Sequence, residues 1–228
     1  MKSVTIIVPV KDEEEGLKYL LSDFRSSNLS SDFEINFIFV IDERTSDKSR
    51  YIAQEFSHQI IDQKGTHGKG AAMQQAIDYW KNAQSSVVVF LDADGSYSFD
   101  GVRKILNSIE GGSDVASGSR FLDGVNPKGM SRLHHFGNKS LSFISSLRNR
   151  RRISDLCTGL WGFTSYSLNE LSIKSNGFDI EAEIVGQIRR KGLNHAEVPI
   201  EWSQRKGGSS KLRSLRDGLI IFFRILRT

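Results

Sequence analysis

Short, dense apolar runs alternate with stretches of helical period through the first half of the chain. Residues 4–10, 35–41 and 87–91 are rich in Val, Ile and Phe and do not alternate with polar residues. That is the pattern of strands buried on both faces of a mostly parallel sheet. Pro9 closes the first run, because no strand ladder continues through a proline. Between the runs, Leu17, Leu20, Leu21 and Phe24 recur at helical spacing, and a second helix is expected over 49–56. A short strand is expected at 59–62, then a helix carrying Ala72, Met73, Ala76, Ile77 and Trp80. Ser98 is placed to cap a helix over 100–108. Residues 114–121 read as a strand, 130–147 as a helix and 155–163 as an apolar, glycine-bearing stretch. A helix opens within 177–183 and reaches about 191, followed by a late strand at 196–200. This alternation argues an α/β fold, a Rossmann-like, mostly parallel central sheet flanked by helices.

The chemistry concentrates where the apolar runs end. The run at 87–91 leads into Asp92-Ala93-Asp94-Gly95-Ser96, and open α/β sheets hold their ligands at the carboxyl ends of strands. On extended backbone Asp92 and Asp94 point the same way, their Cα atoms roughly 7 Å apart. Two hard oxygen ligands there suit a Mg²⁺ or Mn²⁺ that also takes phosphate oxygens and water. The same residues also read as a strand-ending turn, with Gly95 turning the chain away. Acidic residues recur after the other strands, at Asp12 to Glu15 and at Asp42-Glu43. Gly65-Thr66-His67-Gly68-Lys69-Gly70 departs from the Walker A pattern, with Gly70 where Ser or Thr belongs. A glycine-rich turn bearing a lysine before a helix still suits a diphosphate.

The 228 residues, 38% of them hydrophobic, suffice for one substantial core. A single cysteine, Cys157, excludes an internal disulfide and a cysteine-rich zinc site. The start resembles no signal peptide, and no stretch approaches the roughly 20 apolar residues of a membrane span. A cytosolic-side, non-spanning protein is therefore expected. The net charge of +4 is unevenly spread: residues 120–152 carry eight Lys/Arg against Asp123 alone, and 201–228 carry seven against Glu201 and Asp217. The remainder is acidic. A basic second half points to a phosphorylated, membrane-bound or nucleic-acid partner, and no nucleic-acid module or stacking pattern accompanies the charge. Near the C-terminus, Leu215, Leu219, Ile220, Phe222 and Phe223 are interleaved with Arg213, Arg216, Arg224 and Arg227. Residues 213–228 thus read as an amphipathic basic helix after a domain of 1–212. It is able to lie in a headgroup region, or to pack on its own core or a second subunit.

Taken in order, these motifs resemble glycosyltransferase family 2, and within it the polyprenyl- or dolichol-phosphate mannosyl- and glucosyltransferase branch. The matching residues are Val8-Pro9-Val10-Lys11-Asp12-Glu13, Asp42 with Thr45-Ser46-Asp47, Gly68-Lys69-Gly70, Asp92-Ala93-Asp94-Gly95-Ser96 and Gly118-Ser119-Arg120-Phe121. They continue through 155–159, Gly177-Phe178 with Glu181, Val198-Pro199-Ile200 and the basic loop 205–212. The resemblance implies a GT-A fold and a metal-dependent, inverting hexosyltransferase using a UDP- or GDP-sugar. It implies that Pro9, Val10, Glu13, Asp42, Lys69, Asp92 and Ala93 bind the nucleotide-sugar and that Asp92 and Asp94 hold Mg²⁺ or Mn²⁺. It places Ser119, Arg120, Arg132, Arg205 and Lys211 at the acceptor phosphate, with Asp92, Asp94 and Arg120 as the catalytic set. The implied setting is peripheral, on the cytoplasmic membrane face, with a homodimer or a separate membrane subunit as further partners. Two departures fall in the nucleoside pocket: Glu43-Arg44 where the family shows aspartate and glycine, and Lys11 where it shows an aromatic or small residue. A phosphate acceptor is already ionised and needs cations more than a base. A hydroxyl acceptor is the alternative, and needs a carboxylate such as Glu181 or Glu183 to take its proton.

Overall fold

The computed structural model describes residues 2–57, 59–83, 85–122, 127, 129–208 and 214–228. The expected runs form strands β1 (Lys2–Val10), β2 (Phe33–Asp42), β3 (Ile60–Gln63), β4 (Val87–Leu91) and β5 (Val115–Ser119). With β6 (Leu160–Thr164) and β7 (His195–Pro199) they make a seven-stranded sheet in the order β3-β2-β1-β4-β6-β5-β7. Every pairing is parallel except those of β6, which runs antiparallel between β4 and β5, with Phe163 opposite both Val88 and Val115. Strand β6 went unread within the apolar stretch 155–163 because its glycines mask its pattern. Gly162 lets Ile105 pack against the strand: a Cβ there would stand 2.2 Å from Ile105 Cγ2.

The helices are α1 (Glu14–Ser26), α2 (Ser49–Phe56), α3 (Lys69–Ala83), α4 (Phe99–Glu110), α5 (Arg132–Asn149), α6 (Ser165–Glu170), α7 (Ile180–Lys191) and α8 (Ser214–Arg227). They cover both sheet faces. Val4, Ile6 and Val8 of β1 join α1 and α4 in one apolar cluster, while Ile7 joins α3 and α7 in the other. This is the period-2 alternation of a strand with two buried sides. Ser98 caps α4 as read, its side chain accepting from the Gly101 N–H.

Helix α8 has two characters. Ile221 and Ile225 are buried in the second cluster, and Arg224 Nε donates to Asp179 Oδ2 at 2.7 Å. Its other side leaves Leu215, Leu219 and Phe223 exposed. The core-packing reading of the tail thus holds for the face carrying Ile221 and Ile225. Among the described residues no helix is long and apolar enough to cross a membrane.

Ile225 is 1% exposed. Ile225→Ala is expected to cost about 2–5 kcal/mol, the range for emptying a buried aliphatic site. Thermal denaturation checks it; an unchanged melting temperature would show that α8 is not part of the core.

Candidate active site

The loops after β1 and β2 are tied together by their own acids. Ser46 N donates to Asp12 Oδ1 at 2.7 Å, Glu14 N to Asp47 Oδ2 at 2.9 Å, and Glu13 N to Ser49 Oγ at 2.8 Å. Asp12, at φ +48°, makes the turn that sets up these bonds. With the end of β4 these loops bound a cavity of about 670 Å³. It is lined by Pro9, Val10, Glu13, Asp42, Lys69, Asp92, Ala93, Asp94, Arg120 and Arg205, which the sequence places in the site from six separate segments. Two expected residues lie elsewhere: Ser119 is buried against Ser154 Oγ at 2.6 Å, and Arg132 is exposed at the start of α5. Lys211 lies outside the described residues.

Lys69 opens α3 and reaches into the cavity wall. Its Nζ lies 2.7 Å from Asp92 Oδ1 and 2.7 Å from Glu181 Oε1, in α7. Burial works against the ammonium, but the two carboxylates outweigh it and raise its pKa. Burial holds the carboxyls of Asp92 and Glu181 above their usual range, against the pull of Lys69. The glycines around Lys69 are there for close approach. A Cβ on Gly70 would stand 2.0 Å from the Ser175 carbonyl oxygen, and one on Gly68 2.4 Å from that of Asn176. Glu183, the other candidate base, is absent from the lining. It is buried, accepting the N–H groups of Lys174 and Ser175.

Asp92 and Asp94 have different surroundings. One oxygen of Asp92 takes Lys69, and the other packs where a Cβ on residue 159 would come within 1.9 Å, so Gly159 leaves the carboxylate room to stay on Lys69. Asp94 Oδ1 accepts from Ser96 N, while Oδ2 lies 3.8 Å from Arg205 Nη1. Arg205 also donates to both Glu13 oxygens and to the Gly207 carbonyl. Gly95, at φ +71°, turns the chain after Asp94 beneath Lys206 and Tyr19. Among the described residues no three His, Cys, Asp or Glu side chains converge as a metal site. The donor set nevertheless fits a hard cation that takes one carboxylate, Asp94, and draws its other ligands from a diphosphate and water.

Arg120 lines the cavity with its fork already engaged. Nε donates to Asp155 Oδ2 at 2.6 Å, and Nη2 to Asp155 Oδ1 and the Cys157 carbonyl, each at 2.7 Å. Asp155 is fully buried and is held in turn by Asn138 of α5, while Glu197 of β7 accepts its N–H. Asp42 is gripped by Arg44, with Nε to Oδ1 at 2.8 Å and Nη2 to Oδ2 at 2.6 Å. These bonds hold the Asp42 carboxyl down at about 2.

The lining also includes residues the sequence did not single out for the site, among them Gln63, Tyr97, Cys157, Trp202 and Ile221. Burial pushes the Tyr97 hydroxyl and the Cys157 thiol each up to about 12, so both stay protonated. Trp202 pairs backbone with Tyr97, drawing the 202–208 loop over the end of β4. No local pattern announces these long-range neighbours, although Arg44 was visible as a departure from the family motif.

A mostly parallel sheet with acids at its strand ends, a lysine-bearing turn and basic loops around one cavity is a scaffold suited to a phosphorylated ligand. Residues 5–172 match the family model of glycosyl transferase family 2, and the chain belongs to that family. It is 30% identical to glycosyltransferase AglJ of Haloferax volcanii over 226 residues, covering 99% of this chain and 71% of that protein. It is 26% identical to the dolichol-phosphate mannosyltransferase of Pyrococcus furiosus, covering 92% of this chain and 59% of that one. Among solved structures, glucosyl-3-phosphoglycerate synthase of Mycobacterium tuberculosis, in complex with Mn²⁺, UDP-glucose and phosphoglyceric acid, aligns with a TM-score of 0.73. The identity is 15%, over 99% of this chain and 79% of that one, a likeness of fold. The architecture is GT-A.

Two variants probe the buried charges. Lys69→Met leaves Asp92 and Glu181 facing each other and is expected to cost about 3–5 kcal/mol. Adding Glu181→Gln should restore part of the loss in thermal denaturation; equal melting temperatures for the single and double variants would refute the clamp. Arg120→Ala strands buried Asp155 and is expected to cost a similar amount, about 3–5 kcal/mol. If Arg120→Ala melts with the native protein, the pair does not hold the site together.

Proposed function

We propose that the protein transfers a hexose from a UDP- or GDP-sugar to a polyprenyl or dolichyl phosphate, with inversion, on the cytoplasmic membrane face. One observation carries the reading. A single cavity is lined by the strand-end acids Asp92 and Asp94 and by the guanidinium groups of Arg120 and Arg205. The acids suit the cation-bearing donor, and the guanidiniums suit a second phosphate that must approach it. The relative named for dolichol-phosphate transfer supports the lipid acceptor. With Ser119 bonded elsewhere and Arg132 exposed, the acceptor side falls to Arg120 and Arg205 among the described residues.

The nucleoside end takes Pro9, Val10, Glu13, Asp42 and Ala93, with Asp42 kept ionised by Arg44. Lys69 fixes Asp92 so that the wall facing the donor keeps its shape. Asp94 would hold Mg²⁺ or Mn²⁺, which when bound would supply positive charge to offset that growing on the departing diphosphate. Arg205, beside both Asp94 and Glu13, keeps the acids from repelling an anionic donor. The acceptor phosphate is ionised near neutral pH and attacks without a base.

A second reading has its own observation. Glu181 lines the cavity, and burial raises its pKa toward that of a working base. It would serve a hydroxyl acceptor. Glu181→Gln separates the two: a phosphate acceptor keeps its transfer, limited on the acid side only by its own second ionisation near pH ~6, whereas a hydroxyl acceptor loses the rate that depends on a deprotonated carboxylate.

Incubation with a panel of nucleotide-sugars, Mn²⁺ or Mg²⁺ and polyprenyl phosphate tests the main reading. Sugar should enter the lipid phase. Transfer only to glycan or small-molecule hydroxyls would overturn it. Asp94→Asn is expected to lower kcat/KM by about 100-fold or more while the melting temperature holds. Full transfer in EDTA would remove the metal from the account.

A further inference from the structure

Helix α5 is amphipathic the wrong way round. Its buried residues are Asn138, Ser142, Ser145 and Asn149, one stripe at helical spacing. Its opposite stripe is Leu133, Phe136, Phe143 and Leu147, which are 59%, 73%, 63% and 65% exposed. A surface helix in water turns its apolar stripe to the core. The inversion has a structural reason on the inner side. Asn138 Nδ2 donates to Asp155 Oδ1, Asn138 Oδ1 accepts from Cys157 N, and Ser142 Oγ accepts from Leu156 N. The polar stripe thus holds the 155–157 segment against Arg120. Leu141 and Ile144, at the flanks, pack against the second core cluster, while Leu133, Phe136, Phe143 and Leu147 stay mostly uncovered among the described residues.

Helix α8 packs directly against α5 and presents Leu215, Leu219, Phe223 and Leu226, 77%, 60%, 53% and 47% exposed. Two neighbouring helices thus leave large apolar side chains in water, more than the scattered exposure normal for a surface. The charges around them share one sign. α5 contains Arg132, Lys139 and Arg148 and no Asp or Glu, and it runs on into Arg150-Arg151-Arg152. α8 adds Arg216 and Arg227, with Asp217 its only acid.

We propose that the outward faces of α5 and α8 form one docking surface for an anionic lipid bilayer, α5 lying in the headgroup region beside α8. Small polar residues turned inward and Leu and Phe turned outward suit a helix whose outer medium is hydrocarbon. The arginine and lysine fringe selects an anionic surface. It also disfavours a second copy of the chain, because a two-fold contact through this face would set like charges against each other. The surface adjoins the cavity: Ile221 of α8 lines it, and the Gly129 carbonyl, just before α5, accepts from Gln204 of the loop that crosses the end of β4. A bilayer on this face brings a membrane-held phosphate to the cavity's edge.

The test is sedimentation of the full chain with phosphatidylcholine vesicles, with and without phosphatidylglycerol. Native protein should partition onto the anionic vesicles, less onto neutral ones, and less again in added salt. The double variant Phe136→Ser/Phe143→Ser should lose roughly tenfold or more of that partitioning, since withdrawing each phenylalanine from water is worth about that factor. Its melting temperature should hold, because both side chains are exposed. Phe223→Ser should weaken binding independently. Native-like sedimentation of the α5 double variant would strike α5 from the surface. Native protein that ignores vesicles overturns the proposal, and a dimer in size-exclusion chromatography that the double variant breaks would reassign the face to self-association. No donor or acceptor is present in this assay, so its failure is separate from any failure of the transfer reading.

Discussion

Carboxylates gathered at the carboxyl edge of the sheet can stay there only if each meets a cation. Glu13, Asp42, Asp92, Asp94 and Glu181 all line one cavity, with Asp155 buried just behind it. Uncompensated, such a cluster would either protonate or unfold the site. The chain answers with Arg44 on Asp42, Lys69 between Asp92 and Glu181, Arg205 between Glu13 and Asp94, and Arg120 on Asp155. The cations come from different depths of the fold. Lys69 sits on a helix and Arg120 at a strand end, both nearly closed off, whereas Arg44 and Arg205 come from loops. The first pair fixes the wall. The second pair sits where a ligand enters, and its side chains are half-exposed for Arg44 and 23% exposed for Arg205.

That constraint explains why glycines and small polar residues cluster around the site. Lys69 reaches two carboxylates only because Gly68 and Gly70 let α3 start against the backbone of 175–176. That backbone is held by Glu183, which takes the N–H groups of Lys174 and Ser175. Arg224 of α8 then lies on Asp179 at 2.7 Å and 3.9 Å from Glu183. The C-terminal helix is therefore seated on the same carboxylate network that braces the lysine turn. Glu183, which resembles an available base when read in one dimension, is spent on architecture.

Local patterns revealed what lies along the chain and missed what lies across it. Sequence patterns located six of the seven strands, most plainly β1, β2 and β4, whose buried parallel runs are dense in β-branched and aromatic residues. The acids after β1, β2 and β4 located the cavity because parallel strands all deliver their ends to one edge. What stayed hidden depends on distant partners. Glu181 meets Lys69 only after 112 residues of chain have folded, and Arg120 meets Asp155 through an excursion that includes α5. The 130–147 helix was read as basic; its inverted faces could not be, since nothing local says which side meets the core.

The inversion of α5 follows from the same demand for charge compensation. Arg120 needs a buried carboxylate, and Asp155 in that role needs more donors than Arg120 supplies. Asn138 provides one, and Ser142 and Asn138 fix the neighbouring N–H groups of Leu156 and Cys157. With its innermost stripe spent on hydrogen bonds, the helix gives the core only the flanking Leu141 and Ile144, and the Leu and Phe of its outer face stay exposed. Leu133, Phe136, Phe143 and Leu147 are thus the cost, in exposed apolar surface, of a helix whose inner side is committed to the Asp155 network, and they are the side chains that the proposed bilayer contact would cover.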